Sequence, residues 1–312
     1  MKKNDQICIL IRNKLKPTSL YILLFVFTGL GCQDNIPISS EENEKVTLEC
    51  ILKPGQDIEA LVNSTNDFNN NFPITYPKKA ILRLKVVNVP EVDVAFTYDD
   101  ERQRYFIQKH SYNIEPNFTY RIEMYENSDA QTKGEIKVNA VTIIPRLQRF
   151  TDATISNVNK KSDDTYSFNM HFAGISKSSQ GAFYMVKALI RNDKGVLVPL
   201  SLEDCLEDAL AVMHEPSDQS TFYLDANRFS DGNFTLSFKT AEGLSDISSR
   251  HVVLQYSSLT EATYRYLIFK TKLTNSMEGG LSDPLTTFTN VKNGYGVFGA
   301  QTAAIDSFAV VK

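Results

Sequence analysis

Apolar residues recur at every second position in short runs separated by turn-forming residues, and this period constrains the chain more than any other feature. Val46, Leu48, Cys50 and Leu52 alternate with Thr47, Glu49 and Ile51 before Pro54-Gly55. That is the pattern of a strand with one face in a core and the other toward water, closed by a turn. Ile58 to Val62 is placed to pair back on it, and Asn66 to Pro77, rich in Asn and Pro, reads as a loop. The period returns at Ala80-Leu82-Leu84-Val86, and at Val92-Val94-Phe96-Tyr98 ahead of the polar Asp99-Asp100-Glu101 turn. It returns again at Tyr105 to Lys109, at Phe118 to Tyr125, and at Ile136-Val138-Ala140-Thr142 before Pro145. Seven short strands over about 100 residues, with turn signals between them, predict a β-sandwich.

Two of these strands flank Ile114-Glu115-Pro116-Asn117. The order of aromatic strand, Pro-containing turn and Phe118-Thr-Tyr-Arg-Ile122 strand resembles the small transthyretin-like or immunoglobulin-like modules of surface proteins. In those modules a Gly follows the Pro because the turn needs a positive φ, so Asn117 is expected in that conformation. A scaffold of this kind does not define a function.

Beyond Arg146 the alternation continues with interruptions. Thr154 to Asn157 and Tyr166-Phe168-Met170-Phe172 flank an Asp163-Asp164 turn, and Gly174 to Gly181 is a Ser-rich loop. Ala182 to Arg191 is a long strand turning at Asn192-Asp193-Lys194-Gly195. Ser201 reads as an N-cap, so Leu202 to Met213 is expected to be a short helix with Leu202, Leu206, Leu210 and Met213 on one face. Strands are expected at Thr221 to Leu224, Asn233 to Phe238 and His251 to Tyr256. The stripe Leu259, Ala262, Tyr266, Phe269 and Leu273 predicts a second helix, and short strands end the chain. The fold class is therefore mainly β: an immunoglobulin-like or transthyretin-like sandwich over residues 45–145, then a second β-rich domain with two inserted helices over 146–312. A chain of 312 residues fits two domains better than one.

The N-terminus carries a different message. Basic residues up to Lys16 precede an apolar run from Leu20 to Leu30, broken only by Thr28 and Gly29, and then Gly31-Cys32. The run is shorter than the roughly 20 residues needed to span a bilayer, and its basic, apolar, small-residue order is that of a signal peptide over residues 1–31. A small residue before a cysteine lets a peptidase approach the backbone, and the thiol accepts a diacylglycerol. Cys32 is thus the expected lipid-attachment residue, although Gly29 and Leu30 reverse the usual lipobox order of Leu then a small residue. The alternative is a plain secretory signal with a fortuitous cysteine. Residues 32–44 are polar and acidic, the composition of a tether. Acyl chains at Cys32 would hold the protein on a membrane.

Charge and motifs narrow the function by exclusion. Removing Lys2, Lys3, Arg12, Lys14, Lys16 and Asp5 with the leader takes 33 basic and 37 acidic residues to 28 and 36, net −8. A dispersed negative charge excludes nucleic acid, whose phosphates require clustered Lys and Arg. Gly294-Tyr-Gly-Val-Phe-Gly299 spells a dinucleotide fingerprint, but only 13 residues follow it, too few for the helix and acidic residue the fingerprint needs. It is expected to be a glycine-rich bend in a strand. His110, His171, His214 and His251 are isolated, without metal-ligand spacing. Asp225-Ala-Asn227 with Asp231-Gly232 has the flavour of a calcium loop, with its Gly misplaced and no closing Glu. Cys50 and Cys205 carry no catalytic signature, and an oxidising compartment would allow them to be either a bridge or two buried thiols. No catalytic, cofactor-binding or metal-ligating residue is assigned, and no cofactor is expected. The 19 Phe and 14 Tyr with no Trp read as core more than as a sugar platform.

Three stretches carry a family resemblance: Cys32 in its lipobox-like setting, the strand ending Ala140-Val-Thr-Ile-Ile-Pro145, and the end of the chain. There Tyr264-Arg-Tyr266 leads through Asp283-Pro284-Leu285 to Thr289-Asn290-Val-Lys-Asn-Gly-Tyr-Gly-Val-Phe298-Gly-Ala300. This resembles the Bacteroidota lipoproteins of domain-of-unknown-function family 4249, and Cys32-Gln-Asp-Asn35 resembles the acidic surface-export signals of such lipoproteins. The resemblance implies an outer-membrane, surface-exposed lipoprotein associated with a TonB-dependent β-barrel transporter, and no catalytic residues. The expected function is a non-enzymatic accessory that captures or hands over a ligand. Two alternatives stand beside it: a structural or adhesive module for a host or matrix polymer, and an envelope hydrolase whose site is assembled from distant strands.

Overall fold

The computed structural model describes residues 45–65, 80–125, 136–150, 152–161, 165–173, 182–192, 194–215, 217–229, 231–240, 247, 250–279 and 288–310. The leader, Cys32, the tether, the Asn66 to Pro77 loop, the Asp163-Asp164 turn and the Ser-rich loop lie outside these residues.

The first eight strands are β1 (Lys45–Leu52), β2 (Ile58–Thr65), β3 (Ile81–Val86), β4 (Val89–Ala95), β5 (Thr97–Asp99), β6 (Arg104–Ile107), β7 (Thr119–Tyr125) and β8 (Ile136–Ile143). The next five are β9 (Asp152–Lys160), β10 (Tyr166–Ala173), β11 (Phe183–Arg191), β12 (Leu197–Cys205) and β13 (Val212–Glu215). They are followed by β14 (Asp218–Asp225), β15 (Phe234–Thr240), β16 (His251–Leu259), helix α1 (Glu261–Gly279) and β17 (Gly294–Ala309). The mainly β reading holds. Strands β4, β3, β7 and β8 form a small sheet, and the other thirteen described strands join one continuous sheet.

β17 holds that large sheet together. Its residues Gly294 to Ala300 pair parallel with Val46 to Leu52 of β1, while Gln301 to Ala309 pair antiparallel with β16. The expected short terminal strands are thus one strand of sixteen residues. Its glycines permit this: Gly296 has φ +105°, and a Cβ there would overlap the Leu48 carbonyl. The fingerprint-like run is accordingly a strand lying tight against another backbone. Asn290 locks the same segment, its Nδ2 donating to the Phe298 carbonyl at 2.8 Å and its Oδ1 accepting the Phe298 N–H at 2.9 Å.

Two cores lie along this strand. The first gathers Leu48, Cys50 and Leu52 of β1 with Leu82, Leu84, Tyr120, Ile122 and Phe298, so the small sheet and the β1–β2–β6 edge of the large one enclose it from both sides. The second is aromatic, with Phe150, Phe172, Tyr184, Phe234 and Tyr256. Each large side chain buried in this way contributes roughly 1.5–3 kcal/mol.

Three sequence expectations change. The strand expected at Val92 to Tyr98 is split, because β4 pairs with β3 and β5 pairs with β6. The switch falls at Phe96, whose ring is buried and whose N–H donates to the Leu82 carbonyl. The helix expected over Leu202 to Met213 is instead the end of β12, a single 3₁₀ turn at Ala209–Ala211 and the start of β13. Leu200 and Leu202 alternate into the core, and pairing with β15 outweighs the helical spacing of the leucines. α1 does form, but its covered face runs through Thr263 and Thr271, and Leu273 is exposed. Asn117 has φ +68°, as its place after Pro116 demanded.

On the outer face of the small sheet Glu123 is 4% exposed. It accepts from Lys85 Nζ and from Tyr125 OH, with Arg121 at 3.7 Å. Burial opposes its ionisation, but the hydrogen bonds and nearby cations prevail and hold the carboxyl below its ordinary pKa. A lowered carboxyl pKa stabilises the fold above the unfolded value, about 4.3, and that contribution disappears as pH falls through the folded value. In urea titrations Glu123→Gln is expected to cost about 1–3 kcal/mol at neutral pH. The difference from wild type should shrink below about pH 4; a constant gap would contradict this role.

Candidate functional site

The segment from Ile144 to Phe150 crosses from the first core to the second, both of its ends being buried. Between them the Gln148 N–H donates to Ser258 Oγ at 3.1 Å, and Tyr184 OH donates to Gln148 Oε1 at 2.7 Å. Burial, followed by the neighbouring Tyr256, pushes the Tyr184 phenol well above its ordinary pKa, so it remains a donor.

Beside this crossing the chain turns from β16 into α1. The Thr260 N–H donates to the Ala300 carbonyl at 3.0 Å, and Thr260 Oγ1 accepts the Thr263 N–H at 3.2 Å and the Ala300 N–H at 3.3 Å. Thr260 is thus the N-cap, and it ties the helix to β17. The Thr263 hydroxyl donates to the Ala300 carbonyl at 3.2 Å, and a Cβ on Gly299 would overlap that hydroxyl. The cap leaves the N–H groups of Glu261 and Ala262 without an intrahelical acceptor.

These elements surround a cleft of about 450 Å³, lined by Asn117 and by residues 141–143, 145, 146, 148, 182–184 and 258–262. This volume falls within the range of small-molecule sites. Its walls are mixed: Phe183, which stacks on Tyr264 at 4.7 Å, and buried Leu259 face hydroxyl and amide groups. Among the described lining residues the only carboxylate is Glu261, paired with Arg265 at 2.5 Å. Arg146 is exposed and makes no ion pair with any described residue, while Thr142 is 6% exposed and its hydroxyl has no hydrogen-bond partner among them.

A second groove of about 550 Å³ lies on the outer side of β1 and β2. Its charges largely satisfy one another: Arg104 meets Glu59 at 2.5 Å, and Glu49 accepts from Tyr266 at 2.7 Å with Lys270 at 3.9 Å. Arg104 Nε is the exception, buried without an acceptor. The cleft is the better candidate because its unused groups converge on one concave space.

The motif residues lie elsewhere. Cys50 and Cys205 are free thiols in different cores, so no bridge joins them. Burial raises both thiol pKa values, helped at Cys50 by the Glu49 charge, which keeps them poor nucleophiles. Asp225 accepts from the Asn227 N–H and side chain, and Asp231 accepts from Asn233, so the calcium-like stretch is spent on turns. His171 bonds Thr235 at 3.1 Å, whereas His110, His214 and His251 are exposed. Among the described residues no three His, Cys, Asp or Glu side chains converge as a metal site. Sequence reasoning missed the cleft; the accessible signal was Thr260, a capping residue type inside the expected stripe and directly before the observed helix.

The terminal run from Asn290 to Ala300, with its Asn lock and close-packed glycines, lies within the span that identifies the family. The model of the family described as domain of unknown function (DUF4249) matches residues 34–305. The chain belongs to DUF4249. No curated protein matches the chain. The DUF4249 region takes in every segment lining the cleft, all of the first core and all of the second except Val310.

Proposed function

We propose that this DUF4249 chain is a non-enzymatic cell-envelope lipoprotein, anchored to the outer membrane through acyl chains on Cys32. Its body acts at the cell surface as the ligand-capturing accessory of a TonB-dependent β-barrel transporter. The cleft between the two cores carries the capturing role: it has room for a small molecule and several polar groups, and its described lining residues pair no nucleophile with a base. The two sheets around the first core are read as an immunoglobulin-like or transthyretin-like sandwich that serves as scaffold. The leader ending in Gly31-Cys32 supports the anchor.

Cys32→Ala is expected to move the protein from the membrane pellet to the soluble envelope fraction, with the acylated N-terminus lost from mass spectra of the mature chain. Persistent membrane association would reject the anchor. Pull-down of the wild type from detergent-solubilised outer membrane at native expression should recover a β-barrel transporter, and recovery of none would reject the accessory role.

A further inference from the structure

We infer that the cleft holds its ligand by a carboxylate group, with the apolar part of the ligand against Phe183 and Leu259. The inference rests on the ligand-capturing reading and names the chemistry of that site.

Three independent features converge on an anionic head. Glu261 and Ala262 line the cleft at the positive end of a 19-residue helix, where N–H groups without an intrahelical acceptor and the helix dipole favour an anion. Arg146, also on the wall, makes no ion pair with any described residue, and its planar fork matches the two oxygens of a carboxylate. Thr142 is 6% exposed and lines the cleft, and its hydroxyl has no hydrogen-bond partner among the described residues. A hydroxyl on a side chain so nearly enclosed is a fixed donor on the cleft wall, and a ligand oxygen would match it. Glu261, the one acid among the described lining residues, has its charge offset by Arg265 at 2.5 Å.

Size separates a carboxylate from a bare inorganic anion. A phosphate would fill a small part of about 450 Å³ and leave the apolar wall unused. A carboxylate on an apolar body, such as a terminal carboxyl next to a hydrophobic side chain, uses both.

The test is isothermal titration of the full acylated chain in detergent with acetate, N-acetyl-phenylalanine, N-acetyl-phenylalanine amide and inorganic phosphate. N-acetyl-phenylalanine should bind saturably, and its amide at least about tenfold more weakly, since a hydrogen bond to a charged group carries roughly tenfold to hundredfold in affinity. Arg146→Gln should remove about that factor for the carboxylate and leave the amide unchanged. Arg146 is exposed, so the variant should keep the thermal midpoint of the wild type. Thr142→Val should weaken the carboxylate by about tenfold or less. Equal binding of acid and amide, indifference to Arg146→Gln, or no saturable binding of either carboxylate at millimolar concentration overturns the inference. Phosphate binding as tight as N-acetyl-phenylalanine reassigns the site to phosphate and also overturns it. A transporter recovered by pull-down without carboxylate binding rejects this site alone, whereas carboxylate binding without a transporter rejects the accessory role alone.

Discussion

Gly296→Val is expected to destabilise the protein by about 3 kcal/mol or more, through strain at a positive φ added to a backbone overlap. At φ +105° any side chain is strained, and here the new Cβ would also meet the Leu48 carbonyl of the parallel neighbour. Neither atom can move without breaking the β1–β17 ladder that closes the first core. Gly55→Ala is the control. Gly55 has φ +76° but open space around it, so only the conformational cost remains, about 1 kcal/mol. Urea unfolding of both variants separates the two contributions, and similar losses would show that the close approach to Leu48 is unimportant.

Phe150→Ala should cost about 3–5 kcal/mol. The ring sits 4.5 Å from Tyr256, 4.9 Å from Tyr184 and 5.2 Å from Phe172 between centroids, so its removal leaves a cavity edged by rigid aromatics that cannot collapse into it. Tyr256 is pinned in turn, its OH donating to Asp306 and accepting the Phe150 N–H at 3.3 Å. Against a total stability of roughly 5–15 kcal/mol the loss is a large fraction. It should appear as a lower urea midpoint in far-UV circular dichroism; a shift under about 1 kcal/mol would mean that Phe150 is a peripheral side chain.

Local alternation made most strands legible, because a strand with one wet face writes its period into the chain, as Val46 to Leu52 and Tyr166 to Phe172 do. Asn117 was legible for the same local reason, a turn that needs positive φ. The errors occurred where a longer-range partner decided the outcome. The leucines at 202, 206 and 210 spell a helix, yet β15 captures the start of that segment and leaves Leu206 and Leu210 exposed. No local pattern announces that β1 will pair with β17, about 250 residues later. The cleft is hidden for a related reason: Asn117, Thr142, Arg146, Gln148 and Thr260 come from separate segments, and none belongs to a motif with a fixed spacing.

The partnership of β1 with β17 sets the order in which this protein can be made. Cys50 and Phe298 are register partners, so a chain emerging from its N-terminus exposes an unfinished first core until residues 294–300 appear. Contacts of such sequence separation form slowly and leave strand edges open to aggregation meanwhile. A clip anywhere in residues 294–300 would undo both the oldest and the newest parts of the chain at once.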